Sequence, residues 1–127
     1  MNILQNNPYR LLGVYSNSPT KERLANHNRM KAFLKVGKSV SFPLDLPHFF
    51  SSINRTEASV ADAEAKLTLP KEQILYAQFW FVKNTPLDEV AFNHLFAGDI
   101  AKAEEIWQKR GCASSLQNLR VSPKTRL

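Results

Sequence analysis

The chain has 127 residues, 43% of them hydrophobic and 22% charged, with a formal net charge of +6. That length suits one domain, or a small domain with an extension, and the balance excludes an intrinsically disordered chain. The single cysteine, Cys112, excludes an internal disulfide framework and a multi-cysteine zinc site, and it fits a reducing compartment.

Glycines number 4 and prolines 7, and the prolines fall mostly where helical periodicity breaks, which favours an all-α protein. No uninterrupted apolar run is longer than that of Phe79-Trp80-Phe81-Val82, far below the ~18 residues of a membrane span. The N-terminus has no apolar run of signal-peptide length, so a cytoplasmic protein with no membrane partner is expected.

In chain order the first element is short. Asn7 caps it, Pro8 takes the first helical position, Tyr9, Leu11 and Leu12 follow, and Gly13 stops it. A polar connection, Ser16 to Pro19, leads into a second helix from near Ser18 to about Val36. Ala25, Met30, Ala32, Phe33, Leu34 and Val36 share one broad arc of that helix. Arg23, His27, Lys31, Lys35 and Lys38 share the opposite arc, so an amphipathic helix with a basic outer face is predicted. Ser39 to Asn54 holds Pro43 and Pro47 among Phe42, Leu44, Leu46, Phe49, Phe50 and Ile53, the pattern of an extended loop tacked onto a core.

Thr56 opens a third helix with Val60, Ala63 and Leu67 as its buried stripe, broken at Leu69-Pro70. A fourth helix is predicted from about Lys71 to Val82, apolar almost all round. After the Asn84-Thr85-Pro86 break a fifth helix carries Leu87, Val90, Ala91, His94 and Leu95 on one face. Gly98-Asp99 ends it and caps a sixth, striped by Ile100, Ala103, Ile106 and Trp107 up to Gly111. Residues 113–127 offer only Leu116 and Leu119, as a C-terminal tail or the start of a further helix, and VSPKTRL is expected to be mobile.

The order of these features resembles a J-domain, the co-chaperone module that engages Hsp70-type chaperones. NPYRLLGV (Asn7 to Val14) is similar to the family's opening "x-Y-x-x-L-G-V", and a polar loop and a basic helix follow in both. Ala63, Leu67, Pro70 and Tyr76 fall in step with "A-x-x-x-L-x-x-P-x-x-R-x-x-Y", with Gln73 standing where the family usually has arginine. The resemblance covers about residues 7 to 77. It implies a helical hairpin with a short flanking helix and a basic docking face. The family's His-Pro-Asp, which stimulates the chaperone's ATPase, is absent: the matching place reads Val36-Gly37-Lys38-Ser39, and His48 comes too late and is followed by Phe49. Further on, Ala91 to Lys109 resembles the helix-turn-helix of a tetratricopeptide-like repeat, with Gly98-Asp99 at the turn and Ala103 and Trp107 in the second helix. A single such unit must be covered by a neighbour, either the J-domain-like half or further repeats, and continuation into further repeats is the favoured expectation.

No catalytic constellation emerges. Gly37-Lys38-Ser39 ends like a phosphate loop, but the required earlier glycine is Ala32 and the preceding segment is helical, so a helix C-cap explains it. His27, His48 and His94 have no metal-ligand spacing with each other or with Cys112, and Cys112 has no base nearby in sequence. No enzyme, cofactor or metal is therefore expected.

The expected architecture is a J-domain-like helical region (1–83), a tetratricopeptide-like helix pair (84–112) and a tail or further helix (113–127). The expected function is a non-catalytic protein–protein interaction or adaptor module, with derivation from an Hsp70 co-chaperone implied by the resemblance and an Hsp70-type chaperone as one candidate partner. The alternative is a basic nucleic-acid-associated helical module. The docking residues expected are Arg23, His27, Lys31, Lys35 and Lys38 on the basic helix face. Tyr76, Phe79, Trp80 and Phe81 form a second candidate contact surface, with core packing as the competing assignment.

Overall fold

The computed structural model of the chain describes residues 4–122, and over them it is all-α. The helices are α1 (Pro8–Leu11), α2 (Thr20–Lys35), α3 (Glu57–Lys66), α4 (Pro70–Ala77), α5 (Pro86–Phe96), α6 (Ile100–Arg110) and α7 (Ala113–Val121), with a 3-10 turn at Pro43–Asp45. The segment 123–127, for which mobility was expected, lies outside the described residues.

Local signals set most boundaries. Asn7 accepts from the Tyr9 N–H at 2.9 Å, and Thr85 and Asp88 cap the start of α5 reciprocally. Gly111, at φ 68°, ends α6 in the left-handed conformation that glycine adopts without strain. Gly13 is under a double constraint. It has φ +71°, and a Cβ there would lie 2.4 Å from the Phe42 ring.

α2 and α3 form an antiparallel hairpin, since Arg23 near the start of α2 meets Glu64 near the end of α3 at 2.9 Å. α1 packs on α3 and α4. Asn7 fastens that contact by donating from Nδ2 to the carbonyls of Tyr76 and Phe79. The crossover between α2 and α3 is held by a buried polar knot. Arg55 donates twice to the Asp45 carboxylate, at 2.6 and 2.9 Å, and to the carbonyls of Leu11, Val40 and Arg10, so all five of its donors are used.

The fourth helix ends earlier than its apolar run predicts, at Ala77 instead of Val82. The reason is tertiary. Trp80 turns inward to donate its indole N–H to the Val14 carbonyl at 2.9 Å, and the Phe81 carbonyl accepts from the Ser16 N–H at 2.8 Å. The aromatic run after Gln78 is thus a non-helical link that plugs the centre of the molecule. Phe81 packs edge-on to Trp80 and Phe92 and stacks on Trp107, and Tyr15 meets Phe92 with 4.8 Å between ring centroids. One hydrophobic core therefore runs from Tyr9 to Val121, across the boundary expected at 83/84. Of the two coverings expected for the helix pair α5–α6, the N-terminal half supplies one through these rings, where further repeats were the favoured expectation.

Residues 113–121 form a full helix, and its inward face is polar: Ser114, Ser115 and Asn118 are buried with Val121, while Leu116 is 59% exposed. Asn118 acts as a backbone mimic, accepting from the Val82 N–H and donating to the Val82 carbonyl, both at 2.8 Å. Gln117 donates to the carbonyls of Ala77, Gln78 and Trp80, so α7 clamps the aromatic link through amide side chains. At the other end of this assembly Asp88, 1% exposed, accepts from Trp107 Nε1, Ser114 Oγ and the N–H groups of Asn84 and Thr85, and so joins α5, α6 and α7.

Candidate functional site

The outer face of α2, where docking residues were expected, differs in composition from that expectation. The residues facing α3 are Arg23, His27 and Met30, at spacings of four and three. Arg23 is buried and paired to Glu64, and His27 Nδ1 stands 3.8 Å from Glu64 Oε2, an oxygen with no hydrogen-bond donor. Arg23 and His27 are thus hairpin residues and not part of the solvent face, a correction to the expected docking set. A charged pair at the hairpin interface turns the helix, and that rotation leaves Ala25, Ala32, Phe33 and Val36 on the outside, where a buried arc was predicted.

Of the expected docking residues, Lys31, Lys35 and Lys38 are exposed, and Lys21 and Arg29 join them. None of these five cations lies within ion-pair distance of a carboxylate among the described residues. Lys35 sits in the last turn of α2, where it also complements the helix dipole. Exposed apolar groups stand among the cations: Leu24 at 44%, Phe33 at 37% and Val36 at 68%. Arg29 lies over both Phe33 and Phe42, with its guanidinium 5.9 and 5.8 Å from the two ring centroids. The face is therefore apolar at several points and positively charged throughout, with Glu22 the sole acid of α2.

The second expected surface divides. Trp80 and Phe81 are fully buried, so they are core residues and not part of a contact surface, which corrects the expectation for these two. Tyr76 is half-buried against the core, and Phe79, in the link itself, is also half-buried. The exposed apolar groups of α4 are its neighbours Ile74, at 64%, and Leu75, at 49%.

Cys112 caps α7, with its Sγ 3.3 Å from both Ser114 Oγ and Ser115 Oγ. The Ser114 and Ser115 hydroxyls, with the Ser115 backbone N–H, lower the thiol pKa to about 7 against a slight opposing effect of burial and Asp88. Nothing in a search for a distant base reveals this, because the perturbing groups are the adjacent serines. Burial pushes Tyr15 well above the ordinary phenol range, and Glu22, Glu89 and Asp88 add to the effect, so its hydroxyl stays protonated. Among the described residues no three His, Cys, Asp or Glu side chains gather as a metal site, and no helix is long and apolar enough to cross a membrane.

These features define the class: an all-α protein with a basic, partly apolar helix face. Family models, curated proteins and solved structures include none that matches the chain.

Proposed function

We propose that the chain is a non-catalytic protein-interaction module of J-domain descent, whose α2 outer face docks an acidic surface of a partner protein. One observation carries this reading. Lys21, Arg29, Lys31, Lys35 and Lys38 project without carboxylate partners around exposed Leu24, Phe33 and Val36. Cations alone would suit any polyanion; the interspersed aliphatic and aromatic groups supply the apolar contact that protein interfaces use for affinity. The J-domain resemblance of residues 7 to 77 adds the candidate partner, an acidic face of an Hsp70-type chaperone in a reducing, cytoplasmic setting. With Val36-Gly37-Lys38 in place of His-Pro-Asp, docking without ATPase stimulation is the activity proposed. The tetratricopeptide-like likeness of α5 and α6 is retained as a proposal about descent alone.

The test is calorimetric titration of a purified Hsp70-type chaperone with the full chain at about 50 and 200 mM salt, beside a single-stranded DNA oligonucleotide. Binding to the chaperone is expected, weakened roughly tenfold by Lys31→Glu with Lys35→Glu and again by Val36→Asp. Tighter binding to the oligonucleotide, with a salt slope near one log unit per phosphate contact, would replace this reading with the nucleic-acid one.

A further inference from the structure

The exposed residues of α2 fall into two strips that differ in chemistry. Leu24, Asn28, Lys31 and Lys35 follow one another at spacings of four, three and four, a polar strip that carries two lysines. Ala25 stands four residues before Arg29, and Ala32, Phe33 and Val36 stand three, four and seven after it; all four are exposed. Arg29 is therefore the cation of an otherwise apolar strip. Glu22, the acid of this helix, is two turns away, and its Oε1 accepts from Ser18 Oγ at 3.4 Å.

Arg29 also differs from the lysines in how it is held. Its guanidinium lies over the Phe33 and Phe42 rings, 5.9 and 5.8 Å from their centroids. Phe42 is fixed in turn, because it packs on Gly13 with no room there for a Cβ, and Arg55 lies over its ring at 5.1 Å. No hydrogen bond or ion pair to a described residue uses the Arg29 N–H groups, so its planar fork of donors remains available. A partner that covers Ala25, Ala32, Phe33 and Val36 takes Arg29 out of water with them. An unpaired guanidinium in such a contact is strongly unfavourable, whereas one joined to a carboxylate by two parallel hydrogen bonds is satisfied. Lysines at the edge of the same contact keep their water, and there charge steers more than it binds.

We propose that Arg29 is the anchor and specificity determinant of the α2 docking surface: it pairs bidentately with one carboxylate of the partner protein, an Asp or Glu side chain set among apolar side chains. This deepens the docking reading above and rests on it. The apolar strip specifies the surroundings of that carboxylate, and the guanidinium held over two rings specifies its position. A polyanion without apolar groups satisfies the lysine strip alone.

Two measurements on the full chain test this. In the first, arginine Nε–H and methyl resonances are followed by NMR while isovalerate or acetate is added to about 50 mM. Isovalerate, a carboxylate with an apolar body, should move the Arg29 resonance several-fold further than that of exposed Arg110, and further than acetate does. Methyl shifts in Ala25, Ala32 and Val36 should accompany it. The second follows the binding kinetics of the Hsp70-type chaperone. Arg29→Lys, which keeps the charge, should speed dissociation at least about tenfold, whereas Lys31→Ala should change mainly the association rate and its salt dependence. Thermal unfolding of Arg29→Lys should match the parent, since the side chain is exposed. Equal movement of Arg29 and Arg110 in both acids, or dissociation of Arg29→Lys within about twofold of the parent, overturns the inference and leaves docking on α2 standing. Absence of chaperone binding removes that partner instead, and the acid titration then decides whether Arg29 takes a carboxylate with apolar surroundings.

Discussion

Replacing Asp88 separates a structural carboxylate from an incidental one. Its carboxylate accepts from Trp107 Nε1 at 3.0 Å, Ser114 Oγ at 2.9 Å, Asn84 N at 3.0 Å and Thr85 N at 3.2 Å. Trp107 is fully buried and Ser114 5% exposed, whereas Asn84 is exposed and Thr85 half-exposed. In Asp88→Ala the two main-chain N–H groups recruit water, but the indole and the hydroxyl lose a charged acceptor in a dry site. At about 1.5–2 kcal/mol for each buried donor, the cost is about 3–4 kcal/mol. Asp88→Asn keeps one carbonyl oxygen for the indole, lets the Ser114 hydroxyl rotate to accept, and opposes an amide N–H to the main-chain donors; about 2 kcal/mol is expected. Urea unfolding gives both values, provided the slope with denaturant is unchanged. A double-mutant cycle with Trp107→Phe should return a coupling of at least about 1 kcal/mol. A loss below about 1 kcal/mol in Asp88→Ala, or equal losses for Ala and Asn, would refute the assignment of Asp88 as the joint of α5, α6 and α7.

Arg55→Lys should cost about 3 kcal/mol in the same assay despite keeping the charge, because an ammonium cannot reproduce the fork to Asp45 or reach three carbonyls as well. Gly13→Ala combines a left-handed backbone with collision against Phe42, for about 3 kcal/mol, whereas Gly37→Ala, at φ +75° with nothing within 4 Å of its Cβ, should cost only about 1 kcal/mol. Asn118→Leu should lose about 2–3 kcal/mol even though it adds apolar volume, since the Val82 N–H and carbonyl lose their partner. Alkylation of Cys112 by iodoacetamide should rise with pH to a midpoint near 7, and Ser114→Ala with Ser115→Ala should move that midpoint toward the ordinary thiol value of 9.0. Because the folded thiol deprotonates first, folding gains stability as pH rises from about 7 towards that unfolded value, and a midpoint that ignores the two serines would exclude them as the cause.

Helix starts and stops were legible wherever a single residue does a local job. Asn7-Pro8, Thr85-Pro86 and Gly111 bound helices within a residue or so of where they were expected, because caps and φ constraints act without tertiary help. What was illegible is the interior's use of polar groups. Apolar periodicity finds the inward face of a helix only when that face is apolar. α7 puts Ser114, Ser115 and Asn118 inside and Leu116 outside, and so its pattern left a tail and a further helix both open; α2 puts Arg23 and His27 of its basic arc against α3 while Ala25, Ala32, Phe33 and Val36 of its apolar arc stay exposed and Met30 is buried as predicted. The same blindness hid Arg10 and Arg55, whose partners lie tens of residues away in sequence.

That inward use of Arg23 and His27 changes which residues of α2 bear on function. Lysines on a solvated helix are expected whatever the helix does, and Lys31, Lys35 and Lys38 are exposed as the sequence predicts. Leu24, Phe33 and Val36 are different. With Arg23 and Met30 occupying the hairpin interface, a large part of each side chain stays in solvent, 44% of Leu24, 37% of Phe33 and 68% of Val36, and covering the remainder would be favourable by up to about 1–2 kcal/mol each. The case for docking on α2 therefore rests on the apolar residues that the buried Arg23–Glu64 pair displaces outward, and charge reversal at the lysines tests only the steering of a partner to that face. Val36→Asp, which keeps every lysine, tests the contact itself.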